Sequence, residues 1–115
     1  MEDDMKKFFK AYFEMYYGND DICWAWKRYL ICVYISNRGK VESFDEQRSI
    51  GKFNEILSNP DGNKKLFATY MKMTSENNDV YVQFLNEREK YLNKQGSEYR
   101  AIYTHWLRTD YTTAW

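Results

Sequence analysis

Apolar side chains recur near the start of the chain at the spacing of one helical face. From Asp3 or Asp4 to Tyr17 the sequence alternates charged and apolar types in a regular way. The apolar positions are Met5, Phe8, Phe9, Tyr12, Phe13 and Tyr16. They follow the i, i+3, i+4, i+7 periodicity of an amphipathic helix. Acidic residues stand at its start, where the helix dipole favours them, and Gly18 follows its end. The spacing therefore predicts a helix over this segment.

The segment that follows, residues 20–40, has two interpretations. As a helix it begins at Asp20 or Asp21 and ends at Asn37 or Gly39. Such a helix would be apolar on nearly every side, which indicates a central, buried position. As a strand, the run YLICVYI is rich in strand-forming types, and NRGK would turn a hairpin into the next apolar residues. We favour the helix, with a hairpin over residues 29–44 as the alternative.

Residues 36–43 resemble a short signature found in DNA-associated proteins. Their sequence, SNRGKVES, is similar to the S-N-x-G-[RK]-V-x-S signature of the nuclease-associated modules beside HNH homing endonucleases. The resemblance implies a small DNA-contacting β element at this position, which would agree with the hairpin alternative. It covers this stretch alone, and the sequence has no HNH nuclease motif.

Three helices are predicted in the middle of the chain. Ser43 and Glu46 match the S-x-x-E capping box, in which hydroxyl and carboxylate satisfy each other's unpaired backbone amides. The turn residues 59–62, NPDG, separate this helix from a second apolar stripe. Asp79 caps a helix that runs to about Gln95. The stripes of the first two helices are Ile50, Phe53, Ile56, Leu57 and then Leu66, Phe67, Tyr70, Met71, Met73.

A last helix is predicted from Ser97, and residues 110–115 leave it as a possible tail. Its apolar side carries Tyr99, Ile102, Tyr103, Trp106 and Leu107. A chain of 115 residues is the size of one ordinary domain. We therefore predict a single all-α domain over residues 1–115, a compact bundle of about five or six helices. The alternative is an α+β domain that contains the short hairpin.

Composition and charge exclude several classes of protein. Apolar types make up 43% of the residues and charged types 30%, which is too apolar for disorder and too charged for a membrane protein. The longest uncharged apolar run, residues 29–35, is far shorter than the roughly 20 residues that span a bilayer. The start, MEDDMKKFF, lacks the features of a secretory signal. We expect a soluble, cytoplasmic protein with no membrane partner.

The residues that carry most enzyme chemistry are sparse. His105 is the sole histidine, and its predicted helix offers no acid to orient the imidazole, so a solvent-facing histidine is the expectation. Cys23 and Cys32 are nine positions apart, which in a helix places them on opposite faces and about 13 Å apart along the axis. This spacing favours neither a disulfide nor a shared metal site. We expect no enzyme activity, no cofactor and no metal.

A basic and aromatic segment raises the possibility of nucleic-acid binding. Lys27, Arg28, Arg38 and Lys40 are interleaved with tryptophan and tyrosine residues between positions 24 and 40. Basic and aromatic residues together hold single-stranded nucleic acid. In a buried helix, the same aromatic residues would be core and the charges would lie at its edge. The balanced charge of the chain, 17 basic and 17 acidic side chains, favours the second interpretation.

A second set of residues suggests a protein-binding surface. Arg88 lies at the centre of the apolar stripe of its predicted helix, so it needs a buried acid or an incompletely buried face. The chain also has 11 tyrosines, more than a small core is expected to enclose. Arginine, tyrosine and tryptophan are enriched at binding hot spots. The predicted protein-binding residues are Tyr81, Arg88, Tyr91, Tyr111 and Trp115.

These observations lead to one functional hypothesis and one alternative. The hypothesis is a small non-enzymatic module that binds a host protein or a protein–nucleic acid complex, with a homodimer as a further option. Residue usage that favours Lys, Asn, Tyr and Ile is typical of AT-rich coding sequence, including that of phages and mobile elements. An inhibitor of a host or defence complex, of the anti-CRISPR kind, fits this usage and the small size. The alternative is the nucleic-acid-binding module.

Overall fold

Helices make up the secondary structure of the part of the chain that the structure describes. The structure is a computed structural model, and it describes the backbone of residues 2–14 and 20–95 and the side chains of residues 4–14 and 20–91. The helices are α1 (Glu2–Glu14), α2 (Asp20–Ser36), α3 (Glu46–Ser58), α4 (Gly62–Glu76) and α5 (Asn78–Gln95). No strand occurs in these ranges. The all-α prediction is confirmed, and the hairpin over residues 29–44 is wrong.

Helix α2 is the central element. It packs against α1, α4 and α5, and most of its residues are buried on every side of its axis. Trp26 shows how this position is stabilised, because its indole N–H donates to the carbonyl of Ala11 in α1 at 3.1 Å. The predicted buried helix is therefore present. Apolar burial around the whole helix outweighs the strand propensity of its β-branched and aromatic residues.

The end of α2 explains why the SNRGKVES segment forms no β element in the structure. The amide of Arg38 donates to the carbonyl of Ile35 at 3.0 Å, and that of Gly39 to Tyr34 at 2.9 Å. This pair of bonds is a Schellman motif, with Arg38 and Gly39 at φ of 54° and 84°. The DNA-contacting element implied by the resemblance is absent here: residues 37–39 end a helix, and a loop to Asp45 follows.

Helix α3 begins two residues later than the capping box predicts. Asp45 is the N-cap, with φ −129° and ψ 115°, and its carboxylate accepts a hydrogen bond from the amide of Arg48 at 3.0 Å. Ser43 lies in the preceding turn, so the predicted pairing of Ser43 with Glu46 is wrong. Aspartate caps a helix as well as serine does, and its charge also complements the helix dipole.

The predicted turn between α3 and α4 depends on Gly62. Asp61 adopts a left-handed conformation with φ 60°, and Gly62 is the first residue of α4 and is buried. A Cβ at this position would overlap the carbonyl oxygen of Ile56, so only glycine permits the close approach of the two helices.

Asn77 divides α4 from α5 and ties both to the end of α2. Its amide and its side chain both donate to the carbonyl of Met73, at 2.9 and 3.0 Å. Its own carbonyl accepts from the amide of Tyr81 at 3.0 Å, which opens α5 close to the predicted start at Asp79. Arg38 donates to the side-chain oxygen of Asn77 at 3.2 Å.

Aromatic rings from all five described helices form the core. Phe84 of α5 is fully enclosed, and its ring centroid lies 5.5 Å from that of Phe9, 5.4 Å from Tyr12 and 5.3 Å from Tyr34. No aromatic side chain within residues 4–14 and 20–91 is exposed, although Phe44, Phe67 and Tyr81 are half-buried. For these residues the interior encloses more rings than we expected.

Two predicted elements lie wholly outside the described ranges. They are the last helix from Ser97 and the tail at residues 110–115. Among the described helices, none combines the length and the apolar character needed to cross a bilayer.

Candidate binding cleft

A cleft of about 890 Å³ opens between α2, α3, α4 and the loop that joins α2 to α3. The side of α2 that lines it runs from Tyr29 to Ser36, Asn37 follows the end of the helix, and the loop contributes residues from Lys40 to Asp45. On the opposite walls stand α3, between Arg48 and Ile56, and α4, between Gly62 and Met73.

The floor of the cleft is apolar. Every wall contributes buried or half-buried apolar groups, so a bound molecule would meet carbon and sulfur atoms at the bottom. These groups belong to Tyr29, Cys32, Val33, Val41, Phe44, Ile56, Leu66 and Met73. Burial of such a surface by a partner is favourable at roughly 25 cal/mol per Å² of apolar area.

The rim of the cleft is basic. Four exposed cations surround the floor, and they come from three different elements. They are Lys40 of the loop, Arg48 and Lys52 of α3, and Lys65 of α4. The carboxylates on the same lining are Asp45 and Asp61. The cleft thus has an excess of positive charge, although the whole chain has none.

The titratable groups on the floor are held in their neutral forms. Burial raises the pKa of the Cys32 thiol to about 11. Burial also raises the pKa of Tyr29, and a hydrogen bond with Ser49 and the charge of Arg48 offset part of this effect. Neither group is an ionised nucleophile near neutral pH. The floor is therefore suited to binding rather than to nucleophilic catalysis by these two groups.

Among the predicted protein-binding residues, the structure does not bring Tyr81, Arg88 and Tyr91 to one exposed patch. Tyr91 is buried and stacks on Phe9 with ring centroids 5.2 Å apart. Tyr81 is half-buried, with its hydroxyl 3.4 Å from that of Tyr70. Arg88 is also half-buried, and its Nε atom is enclosed. These three side chains therefore belong largely to the inner face of α5.

The remaining two predicted residues of this set, Tyr111 and Trp115, lie outside the described residues, as does His105. The protein-binding assignment of the set stays a prediction.

The predicted nucleic-acid-binding residues are also dispersed. Lys27 is only 1% exposed, and its Nζ lies 4.5 Å from the centroid of the Tyr12 ring. Arg28 lies over the ring of Phe67 at 4.6 Å, and Arg38 pairs with Asp79 at 3.6 Å.

Of the four predicted cations, Lys40 is the one that lines the cleft. Burial lowers the pKa of Arg28, while the nearby Tyr70 and Asp21 act in the opposite direction. Lys27 cannot reach a phosphate from its enclosed position, so the four cations do not form a single surface.

Sequence reasoning missed three of the four rim cations. Arg48 and Lys52 are four positions apart on the polar side of α3, and this i, i+4 spacing was a visible signal. Lys65 follows the NPDG turn in the next helix. Their convergence depends on the angle at which α3 meets α4, which the sequence pattern does not specify.

Metal binding finds no support within the described residues. No group of three or more histidine, cysteine, aspartate or glutamate side chains is placed there to hold an ion. Cys23 and Cys32 are both buried, and they form no disulfide.

Comparison of this chain with protein families, with curated proteins and with solved structures gives no match. A function for the protein is therefore inferred from its own residues.

Proposed function

We propose that this protein is a small non-enzymatic binding module that engages another protein through the cleft between α2, α3 and α4. The observation that carries the proposal is the combination of a concave apolar floor with a charged rim. Protein interfaces have this organisation, with a desolvated apolar centre and a polar, solvated border. A groove between helices is also a common way to receive a peptide segment of a partner.

The floor supplies the features that a binding hot spot needs. Tyr29 and Leu66 are buried, and Phe44 and Met73 are half-buried, so a partner side chain would be surrounded on several sides. Methionine side chains adapt well to varied apolar ligands, and aromatic side chains offer a large apolar surface. The volume of about 890 Å³ accommodates a few side chains of a partner segment.

The cleft can be tested with two methionines of the same helix. Met73 lines the cleft, whereas Met71 is 44% exposed and lies outside it. Met73→Glu and Met71→Glu each add one negative charge to α4, so the pair separates an effect of position from an effect of charge. The probe is a displayed library of random peptides, selected against the wild-type protein.

We expect the enriched peptides to bind the wild type and Met71→Glu with similar affinity. Met73→Glu should lower the affinity of these peptides at least about tenfold, because the introduced carboxylate would have to be desolvated when a peptide binds. Circular dichroism of both variants checks that the helices are retained. Peptides that bind all three proteins equally would refute the cleft as the binding site.

A finer proposal concerns the role of the module. The small size and the AT-rich residue usage support an inhibitor of a host or defence complex, of the anti-CRISPR kind. Its test is a plasmid-interference assay in cells that express a CRISPR system together with this protein. Interference should be lost with the wild type and with Met71→Glu, and restored with Met73→Glu. Interference that persists with the wild type in every system tried would overturn this role and leave the binding proposal intact.

Nucleic-acid binding is the second candidate, and the four rim cations favour it. Against it, single-stranded binding uses exposed rings for stacking, and no aromatic side chain within the described ranges is exposed. Fluorescence anisotropy with short labelled oligonucleotides, single-stranded and duplex, distinguishes the two candidates. Tight binding that weakens steeply with salt, and weakens further in Arg48→Glu, would replace the protein-binding proposal.

A further inference from the structure

We infer that the segment received by the cleft is acidic and amphipathic, with apolar side chains on the floor and carboxylates opposite the basic rim. The inference rests on the proposed function and deepens it by specifying the chemistry of the partner. It follows from charge complementarity between the rim residues and their ligand.

The positive charge of the rim is local. The chain has equal numbers of basic and acidic side chains, 17 each, so a cleft chosen at random would be close to neutral. This cleft has four cations against two carboxylates. Clefts lined by one sign of charge attract ligands of the opposite sign and raise their association rates.

The four cations are available to a ligand. Within the described residues no ion pair joins Lys40, Arg48, Lys52 or Lys65 to a carboxylate, and all four side chains are exposed. Of the two acids on the lining, Asp45 already caps α3 through the amide of Arg48. A carboxylate that accepts a backbone amide at a helix start is partly compensated, so it opposes an anionic ligand less.

The arrangement of the cations matches a segment that lies along the floor. Arg48 and Lys52 are one helical turn apart on α3, and Lys65 stands on α4 across the floor. Lys40 stands on the loop that joins α2 to α3. A segment with apolar residues along one side and acids flanking them would place its carboxylates near cations on both walls. The apolar floor favours such a peptide over a phosphate backbone, which has no apolar face to bury.

The test uses the peptides selected from the random library, with the charge of the rim as the variable. The double variant Arg48→Glu/Lys52→Glu reverses two exposed helix cations four residues apart. Its matched control is Lys6→Glu/Lys10→Glu, which reverses two exposed cations at the same spacing on α1. Both change the net charge of the chain by the same amount. Affinities are measured by fluorescence anisotropy at low and high salt.

We expect the enriched peptides to carry net negative charge and large apolar residues. Their affinity should fall at least about tenfold in the α3 double variant, should change little in the α1 control, and should decrease with salt. Neutral or basic peptides that still depend on Met73 would overturn the inference and leave the proposed function standing. Peptides that do not depend on Met73 would overturn the proposed function itself. Oligonucleotides that bind at the rim, with no peptide enriched, would overturn both.

Discussion

Lys27 shows that the environment of a single residue determines whether a sequence pattern indicates binding or core packing. Its ammonium lies 4.5 Å from the centroid of the Tyr12 ring and 5.7 Å from that of Trp24. Aromatic faces attract cations, and the attraction strengthens when water is excluded. The mixture of basic and aromatic residues that predicts nucleic-acid binding is thus, at this position, part of the core packing of α1 and α2.

Cys32 is the residue on the cleft floor with the clearest expected response to pH. Its thiol pKa is raised from 9.0 to about 11 because burial disfavours the thiolate. The folded state therefore holds this proton more tightly than the unfolded state does. The resulting stabilisation is present below about pH 9 and is lost as pH rises toward 11, by up to about 3 kcal/mol.

Urea unfolding between about pH 8 and pH 11 measures this loss, with Cys32→Ala as the comparison. Burial also raises the pKa of Tyr29 and Tyr34, so some loss of stability at high pH remains in the variant. The slope of the free energy of unfolding against pH should nevertheless be smaller in Cys32→Ala, by the equivalent of about one proton. An identical slope in both proteins would mean that the folded thiol ionises as readily as the unfolded one.

At the scale of helices, the start of α3 depends on one carboxylate. Asp45 accepts the amide of Arg48 at 3.0 Å, whereas Ser43 lies in the turn before it. Asp45→Ala should lower the free energy of unfolding by about 0.5–2 kcal/mol. Ser43→Ala is the matched control, and its effect should stay within about 0.5 kcal/mol. Chemical denaturation measures both variants, and a larger loss in Ser43→Ala would instead favour the capping box predicted from sequence.

Two glycines in neighbouring helices are expected to respond to alanine in opposite ways. An added Cβ at Gly62 would overlap the carbonyl of Ile56, so Gly62→Ala should destabilise the protein by about 1–3 kcal/mol. Gly51 lies within α3, is exposed and has no atom within 4 Å of an added Cβ. Gly51→Ala should therefore stabilise the protein by roughly 0.5–1 kcal/mol. Thermal unfolding measures both variants. Melting temperatures that shift in the same direction for the two variants would contradict this prediction.

Four of the described helices could be predicted from the sequence because each has a regular apolar face, whereas α2 is apolar on nearly every side and was also compatible with a strand. The ends of the helices were harder to predict. Ser43 and Asp45 are both good N-caps, and only the structure shows that Asp45 reaches an amide of α3. The hairpin alternative failed because residues 37–39 close a Schellman motif, in which Arg38 takes the left-handed conformation that glycine usually supplies. The pattern contained the right residue types and left their backbone angles undetermined.

At the scale of the whole molecule, the candidate site could not be predicted from the sequence pattern. The predicted protein-binding residues assumed that a small core could not enclose so many rings, yet Tyr91 is buried against Phe9. The cleft lies instead between α2, α3 and α4, with Arg48 and Lys52 on its rim. Relative placement of helices is a property of packing among distant segments, and no local periodicity encodes it.

The same packing predicts an order of local stability. Most of α2 is buried, whereas Ser49 and Phe53 are the buried residues of α3. Phe53 joins α3 to α2, with its ring centroid 5.3 Å from that of Trp26. Segments with few buried contacts open at lower free energy than the core does. We therefore expect backbone amides of α3 to exchange with solvent faster than those of α2.

Phe53→Ala tests whether this one ring keeps α3, which forms one wall of the cleft, packed on the core. Loss of a buried phenylalanine costs about 3–5 kcal/mol, and here much of that cost should fall on the attachment of α3. Hydrogen exchange followed by mass spectrometry should show faster exchange in α3 than elsewhere in this variant. Phe84→Ala is the control, because Phe84 contacts rings of α1 and α2 and its loss should accelerate exchange in both. If Phe53→Ala accelerates exchange equally in every helix, α3 is an inseparable part of the core, and the cleft is as rigid as the interior.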